Sequence, residues 1–208
     1  LDVVDVGVKT DGVVRSVTLK PIPRATYGDV VTNTISYRND GAFEKVHGHN
    51  NTLWFGASDQ GKTVYIRFDR YPSFEEMSQF GEVLFSFLDE NKTENIIIDL
   101  RENFGGDFFV GLELAAYLVL MDSIDWQSGV YTLTSNKTFS AAMSNSAQFR
   151  QILNTRLVGQ PTGGRPCGYQ DMGQFNLAHS GFLITYSKRR YCFQTPRARA
   201  VFPDVEIS

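Results

Sequence analysis

Ser140 lies in the stretch NKTFSAAMS (136–144), a run of small residues directly after the β-prone segment GVYTLTS. A chain leaving a strand for a helix on Thr-Phe-Ser-Ala-Ala needs an oxygen to cap the first turn, and serine supplies one. The same geometry sets a hydroxyl beside free backbone N–H groups, as an acyl-transfer nucleophile requires. Taken alone, the stretch favours the cap. Two further loops, RENFGGD (101–107) and PTGGRP (161–166), carry residues suited to chemistry. Gly105 and Gly106 let the backbone turn tightly and expose N–H groups with no Cβ in the way. Beside Ser140 such amides would form half an oxyanion hole, with the N–H of Ala141 supplying the rest. Thr162, Gly164 and Arg165 are the candidate substrate-binding residues. Arg165 either grips a substrate carboxylate with its bidentate fork or caps its loop as a surface cation. Each loop by itself reads better as an ordinary turn between strand and helix; the three together slightly favour a site.

A nucleophilic serine needs a proton acceptor, and the histidines are few. His47 and His49, in VHGHN, are the candidates to serve Ser140. With no neighbouring cysteine or carboxylate cluster, the pair is a poor metal site. His179 falls in a hairpin turn. Lys137 and Tyr169 lie within reach, but no spacing singles them out. Asp99 and Arg101 are expected to pair at a strand end, and Glu102 and Asp107 to be solvated loop charges.

These residues need elements to position them. Residues 3–20 alternate apolar and polar around Asp11-Gly12, a hairpin signal. TNTISYRND reads as a strand, and TLWFGASDQGKTVYIRFDRY as a second hairpin turning near Asp59 and Gly61. Ser73 and Glu76 form a capping box, followed by Phe80, Val83, Leu84, Phe87 and Leu88 on one helical face. NIIIDL is a short, continuously apolar strand of the kind buried in a parallel sheet. VGLELAAYLVLM is a second helix, GVYTLTS a strand, 140–153 a third helix and RLVG a strand. QFNLAHSGFLITYSKRRY is a hairpin turning near Ser180 and Gly181, and the VFPDVEIS tail is extended. The alternation in the middle argues for α/β crossovers flanked by antiparallel hairpins. Ligands of such sheets sit beyond the C-terminal ends of the strands, where all three loops fall.

The 208 residues suffice for one sizeable domain, or one with a small appendage. A net charge of −3 gives no electrostatic case for nucleic acid or an anionic membrane. The apolar runs are too short to span a bilayer. The chain opens on Leu without a signal peptide and is expected to be a mature or excised piece. Cys167 and Cys192 make either one bridge or two separate thiols.

IIIDLRENFGGD resembles the DLR-N-GG motif of the carboxy-terminal processing (tail-specific) serine peptidases and their tricorn-core relatives. TFSAA is similar to their nucleophile motif, LVGQPTGGRP to the loop that follows it, LAHSGF to a hairpin of the family and FPDV to its late PD element. The motifs occur in family order over residues 60 to 208. The resemblance implies a crotonase/ClpP-like α/β core with flanking β-hairpins. Ser140 would be the nucleophile, with Gly106 and Ala141 as oxyanion donors. It also implies a polypeptide substrate, no cofactor or metal, and an extracytoplasmic location. VVDVGVKTDGVVRSVTLKP resembles the last two strands of a PDZ-like domain, giving expected units of 1–25 and 26–208.

The chain departs from the pattern in two places. Arg165 stands where the Ser–Lys type has its lysine, and arginine does not give up its proton, so that dyad is excluded. The tricorn type needs a late acidic residue, and PRARAVF has none. A serine endopeptidase acting through Ser140 is the first reading, its base supplied by His47, His49 or residues upstream. A catalytically silent relative that binds peptides or partners is the second, and a crotonase-like acyl-CoA enzyme a weaker third.

Overall fold

The computed structural model describes residues 3–20, 42–48 and 51–207. The chain divides into two compact units, 1–40 and 41–208. The expected boundary at 25/26, the strand expected at TNTISYRND and His49 all lie outside the described residues.

In the first unit, β1 (Val4–Thr10) pairs antiparallel with β2 (Val13–Leu19) around Asp11-Gly12. Both turn residues have positive φ, 50° and 83°. Such a two-residue turn matches the twist of the strands it joins, and glycine there carries no steric penalty.

The second unit is α/β. A seven-stranded mixed sheet runs in the order β11-β8-β7-β6-β5-β4-β3. Its strands are β3 (Glu44–His47), β4 (Leu53–Ser58), β5 (Thr63–Phe68), β6 (Asn95–Asp99), β7 (Val130–Thr134), β8 (Arg156–Gly159) and β11 (Val205–Glu206). β3, β4 and β5 pair antiparallel; from β5 to β11 every pairing is parallel. Three helices make the crossovers: α1 (Phe74–Asn91), α2 (Phe108–Leu118) and α3 (Ala141–Ile152). β9 (Cys167–Asn176) and β10 (Leu183–Cys192) form a separate two-stranded ribbon. Among the described residues no helix is long and apolar enough to cross a membrane.

α1 starts where its sequence says it should. Ser73 Oγ accepts the Glu76 N–H and Glu76 reaches back to the Ser73 N–H, so two unpaired donors are satisfied reciprocally. Phe80, Leu84 and Leu88 are buried, but Val83 is 40% exposed, at the flank of the face it was expected to share. Gly81 sits against the Tyr117 ring, so the bare glycine sets how closely α1 and α2 approach. The core holds Phe55, Ile66, Phe68, Ile96, Ile98, Leu114 and Phe149 between sheet and helices. α2 begins two residues earlier than the apolar pattern indicates. Asp107, expected to be a solvated charge, is its N-cap, accepting the Phe109 N–H at 3.0 Å. The late hairpin is also longer than expected, because Cys167 and Cys192 face each other across β9 and β10 and are joined by a disulfide.

Candidate active site

The loops after β6, β7 and β8 converge, stitched together by their own hydrogen bonds. Thr138 Oγ1 donates to Leu100 O (2.8 Å) and accepts the Ser135 N–H (2.9 Å). Phe139 N–H donates to Asn103 O (3.1 Å), Gly163 N–H to Thr138 O (2.9 Å), and Ser135 Oγ to Arg101 O. Beneath them Asp99 is fully buried. It accepts Tyr65 Oη at 2.6 Å, the Arg101 N–H at 2.9 Å and the Arg101 guanidinium at 2.7 Å. That hydrogen bond to Asp99 outweighs partial burial and holds Arg101 still more firmly protonated. The pairing expected at the strand end is therefore the anchor of the first loop. Glu102, its side chain open to solvent as expected, also binds Lys137 Nζ at 2.9 Å, tying the first loop to the second.

Ser140 precedes the first residue of α3, but it is not a cap. Its side chain makes no capping bond, and its backbone sits at φ 52°, ψ −120°. A residue with a Cβ is strained there, at a cost of about 1–3 kcal/mol. Five residues, 135–139, lead from the end of β7 to this strained position at the head of the helix. Gly105, at φ 107°, makes room for it: a Cβ on Gly105 would lie 2.6 Å from Ser140 Cβ and 3.0 Å from the Ala141 nitrogen.

The three expected oxyanion donors separate. The Gly105 N–H is committed to Asn103 Oδ1 at 2.9 Å, so Gly105 is a spacer for the serine and not a donor. Asn103 is buried and donates in turn to Phe68 O at 2.7 Å. The N–H groups of Gly106 and Ala141 engage no acceptor among the described residues.

Gly106 is pressed against Tyr71, whose Cβ would lie 2.6 Å from a Cβ placed on the glycine. Tyr71 Oη donates to Asn145 Oδ1, and Asn145 Nδ2 donates to Phe108 O at 3.0 Å. This part-buried chain joins the β5–α1 connection, the first turn of α2 and the second turn of α3. Burial, then the charge of Asp107, push the Tyr71 phenol well above the ordinary tyrosine range, so it remains a donor.

A cavity of about 640 Å³ opens beside Ser140, lined by Phe139, Met143, Gly164, Arg165 and the near ends of β9 and β10, including Tyr169, Gln170, Asp171, Met172 and Tyr186. Gly164 and Arg165 are thus brought to the serine, as expected. Thr162 is not: it is 5% exposed, and its hydroxyl accepts the Val201 N–H at 2.9 Å while its own N–H donates to Val201 O. Its work is to tie the third loop to the segment leading to β11. His47 is not brought to Ser140 either. Its strand lies four places from β7, about 19 Å at ordinary strand spacing, and its ring packs near Phe55 and Phe80. Lys137 is held by Glu102, and His179 is exposed in the β9–β10 turn.

No protein-family model and no curated protein matches the chain. The photosystem II D1 C-terminal processing protease matches with a TM-score of 0.57 at 19% identity, over 77% of this chain and 49% of that one. The core has a processing-protease-like fold. A CPAF mutant matches with a TM-score of 0.51 at 12% identity, over 94% of this chain and 61% of the other. A putative peptidase from Parabacteroides merdae matches with a TM-score of 0.50 at 15% identity, over 76% of this chain and 57% of the other. Identities this low carry the fold and not the activity. The chain spans about half the length of the D1 processing protease.

Asn103, Tyr71 and Asn145 are the site residues that sequence reasoning missed. Asn103 stands inside the DLR-N-GG motif and so had a signal. Tyr71 and Asn145 are 74 residues apart and had none.

Proposed function

We propose that the chain is a serine endopeptidase core of the carboxy-terminal processing type, cleaving polypeptides through an acyl-enzyme on Ser140. The observation that carries this is the strained backbone of Ser140, whose hydroxyl makes no capping bond, while the N–H groups of Ala141 next to it and of Gly106 in the neighbouring loop engage no acceptor among the described residues. Ser140 Oγ attacks the scissile carbonyl carbon and gives its proton to a base. The carbonyl oxygen becomes an oxyanion held by the N–H groups of Gly106 and Ala141. Collapse breaks the C–N bond, the amine leaves with the proton, and water then hydrolyses the ester. Gly164 and Arg165 contact the substrate. The described cavity residues include neither lysine nor histidine, so the base comes from outside them, and His49 is the histidine whose place is left open. A crotonase/ClpP-like core, a PDZ-like origin for the 4–19 hairpin and an extracytoplasmic location belong to the same proposal. The Cys167–Cys192 disulfide supports the last, since such bonds persist in oxidising compartments.

The missing base on the cavity also supports a second reading: a relative without catalysis that binds peptides in the same groove. Fluorophosphonate labelling followed by intact mass separates the two. The peptidase reading expects an adduct that Ser140→Ala and His49→Ala abolish and His47→Ala leaves intact. An unlabelled wild-type chain that still binds peptide would establish the second reading.

A further inference from the structure

Resting on Ser140 as a peptidase site, we infer that Arg165 makes the groove selective for peptides bearing a carboxylate beside an apolar stretch. Only two lining residues carry a charge, Arg165 and Asp171. Asp171 is answered from its own ribbon, 3.5 Å from Lys188 Nζ and 3.4 Å from Arg189 Nε. Arg165 has no ion-pair partner among the described residues, which leaves the lip of the cavity with one uncompensated cation. The lining around it is mixed: Phe139, Met143, Met172 and Tyr186 give it apolar surface, and Gln170, Thr185 and Ser187 are uncharged polar groups.

The backbone of the Arg165 loop is held against the loop of the serine, and the exposed Arg165 side chain extends from that fixed point. Its loop is bound to the loop of Ser140 through Gly163 N–H and Thr138 O, and a Cβ on Gly164 would lie only 3.2 Å from the Phe139 ring. A guanidinium offers two parallel N–H donors that match the two oxygens of a carboxylate. A groove with apolar patches and one fork of this kind holds the apolar side chains of a segment and fixes its register by the acid. That acid is either the terminal carboxylate of the peptide or an aspartate or glutamate side chain.

The test uses Ser140→Ala, which keeps the Cβ and cannot cleave, with fluorescein-labelled decapeptides of alanine, leucine and serine read by anisotropy. Four versions are compared: free C-terminus, amidated C-terminus, amidated with a central aspartate, and amidated with a central asparagine. An acid-bearing version should bind roughly tenfold more tightly than its neutral match, as a charge-assisted bidentate bond at a partly exposed site implies. Ser140→Ala/Arg165→Gln should erase that difference, and Arg165→Lys should restore only part of it. Preference for the free terminus alone assigns the terminal carboxylate; preference for aspartate alone assigns the side chain. Equal binding of all four, no binding of any, or a preference that survives Arg165→Gln overturns the inference. Labelling of Ser140 is measured separately. A labelled serine with flat anisotropy refutes only the selectivity, and acid-dependent binding without labelling refutes only the peptidase reading.

Discussion

Replacing Ser140 by glycine should stabilise the core. At φ 52°, ψ −120° a Cβ is strained by about 1–3 kcal/mol, and glycine removes that strain. Against this, the unfolded glycine chain gains freedom worth about 0.4–1 kcal/mol. The net expectation is a gain near 1 kcal/mol, or a rise in Tm of about 2–4 °C for a chain this size. Ser140→Ala keeps the strain and loses a hydroxyl that caps nothing, so it should change stability by less than about 0.5 kcal/mol. An ordinary capping serine behaves in the opposite sense: alanine costs about 1 kcal/mol and glycine a few tenths. Urea unfolding of the three proteins, followed by tryptophan fluorescence, reads the difference. If alanine loses about 1 kcal/mol and glycine gains nothing, Ser140 is a helix cap and the strain argument is wrong.

Gly105→Ala should unfold or deform the site, because φ 107° disfavours any side chain and the new methyl meets Ser140 Cβ; a loss above about 2 kcal/mol is expected by urea titration. Asp107→Ala should lower stability by about 1 kcal/mol through loss of the α2 cap, while Asp107→Asn should lose only a few tenths. Alkaline titration tests Tyr71. Its folded pKa is raised, so its contribution is complete below the unfolded value near pH 10 and is lost as pH rises further, at up to about 1.4 kcal/mol per pH unit. Tyr71→Phe should flatten that alkaline slope while costing about 1–3 kcal/mol at pH 7, because Asn145 Oδ1 loses its donor. Reduction by a dithiol should speed amide exchange in 167–192 and leave α1 unchanged, since the disulfide spans 25 residues of one ribbon.

Much of the fold was legible where local chemistry and periodicity agree. The hairpin at Asp11-Gly12, the Ser73–Glu76 box and the apolar NIIID strand each lie where their residues indicate. Val83 and Asp107 were misjudged for opposite reasons. A helical face has edges that periodicity alone does not locate, and a cap was hidden by the two phenylalanines that follow it. Ser140, Gly164 and Arg165, taken from two successive motifs, line one cavity. The motifs did not separate donors from spacers: Gly105 and Gly106 are identical in sequence terms, and only the Asn103 side chain takes the first of the two amides. Nor does the sequence order strands in space, and that order carries His47 four strands from β7.

The central claim is that Gly106 and Ala141 form the oxyanion site for Ser140. A crystal structure with a peptide boronic acid tests it most directly. The account predicts a boron–oxygen bond to Ser140 and a boronate oxygen about 2.7–3.1 Å from both nitrogens. Boronate density that is absent, or bound to Ser140 with its oxygens turned away from those two amides, would contradict it.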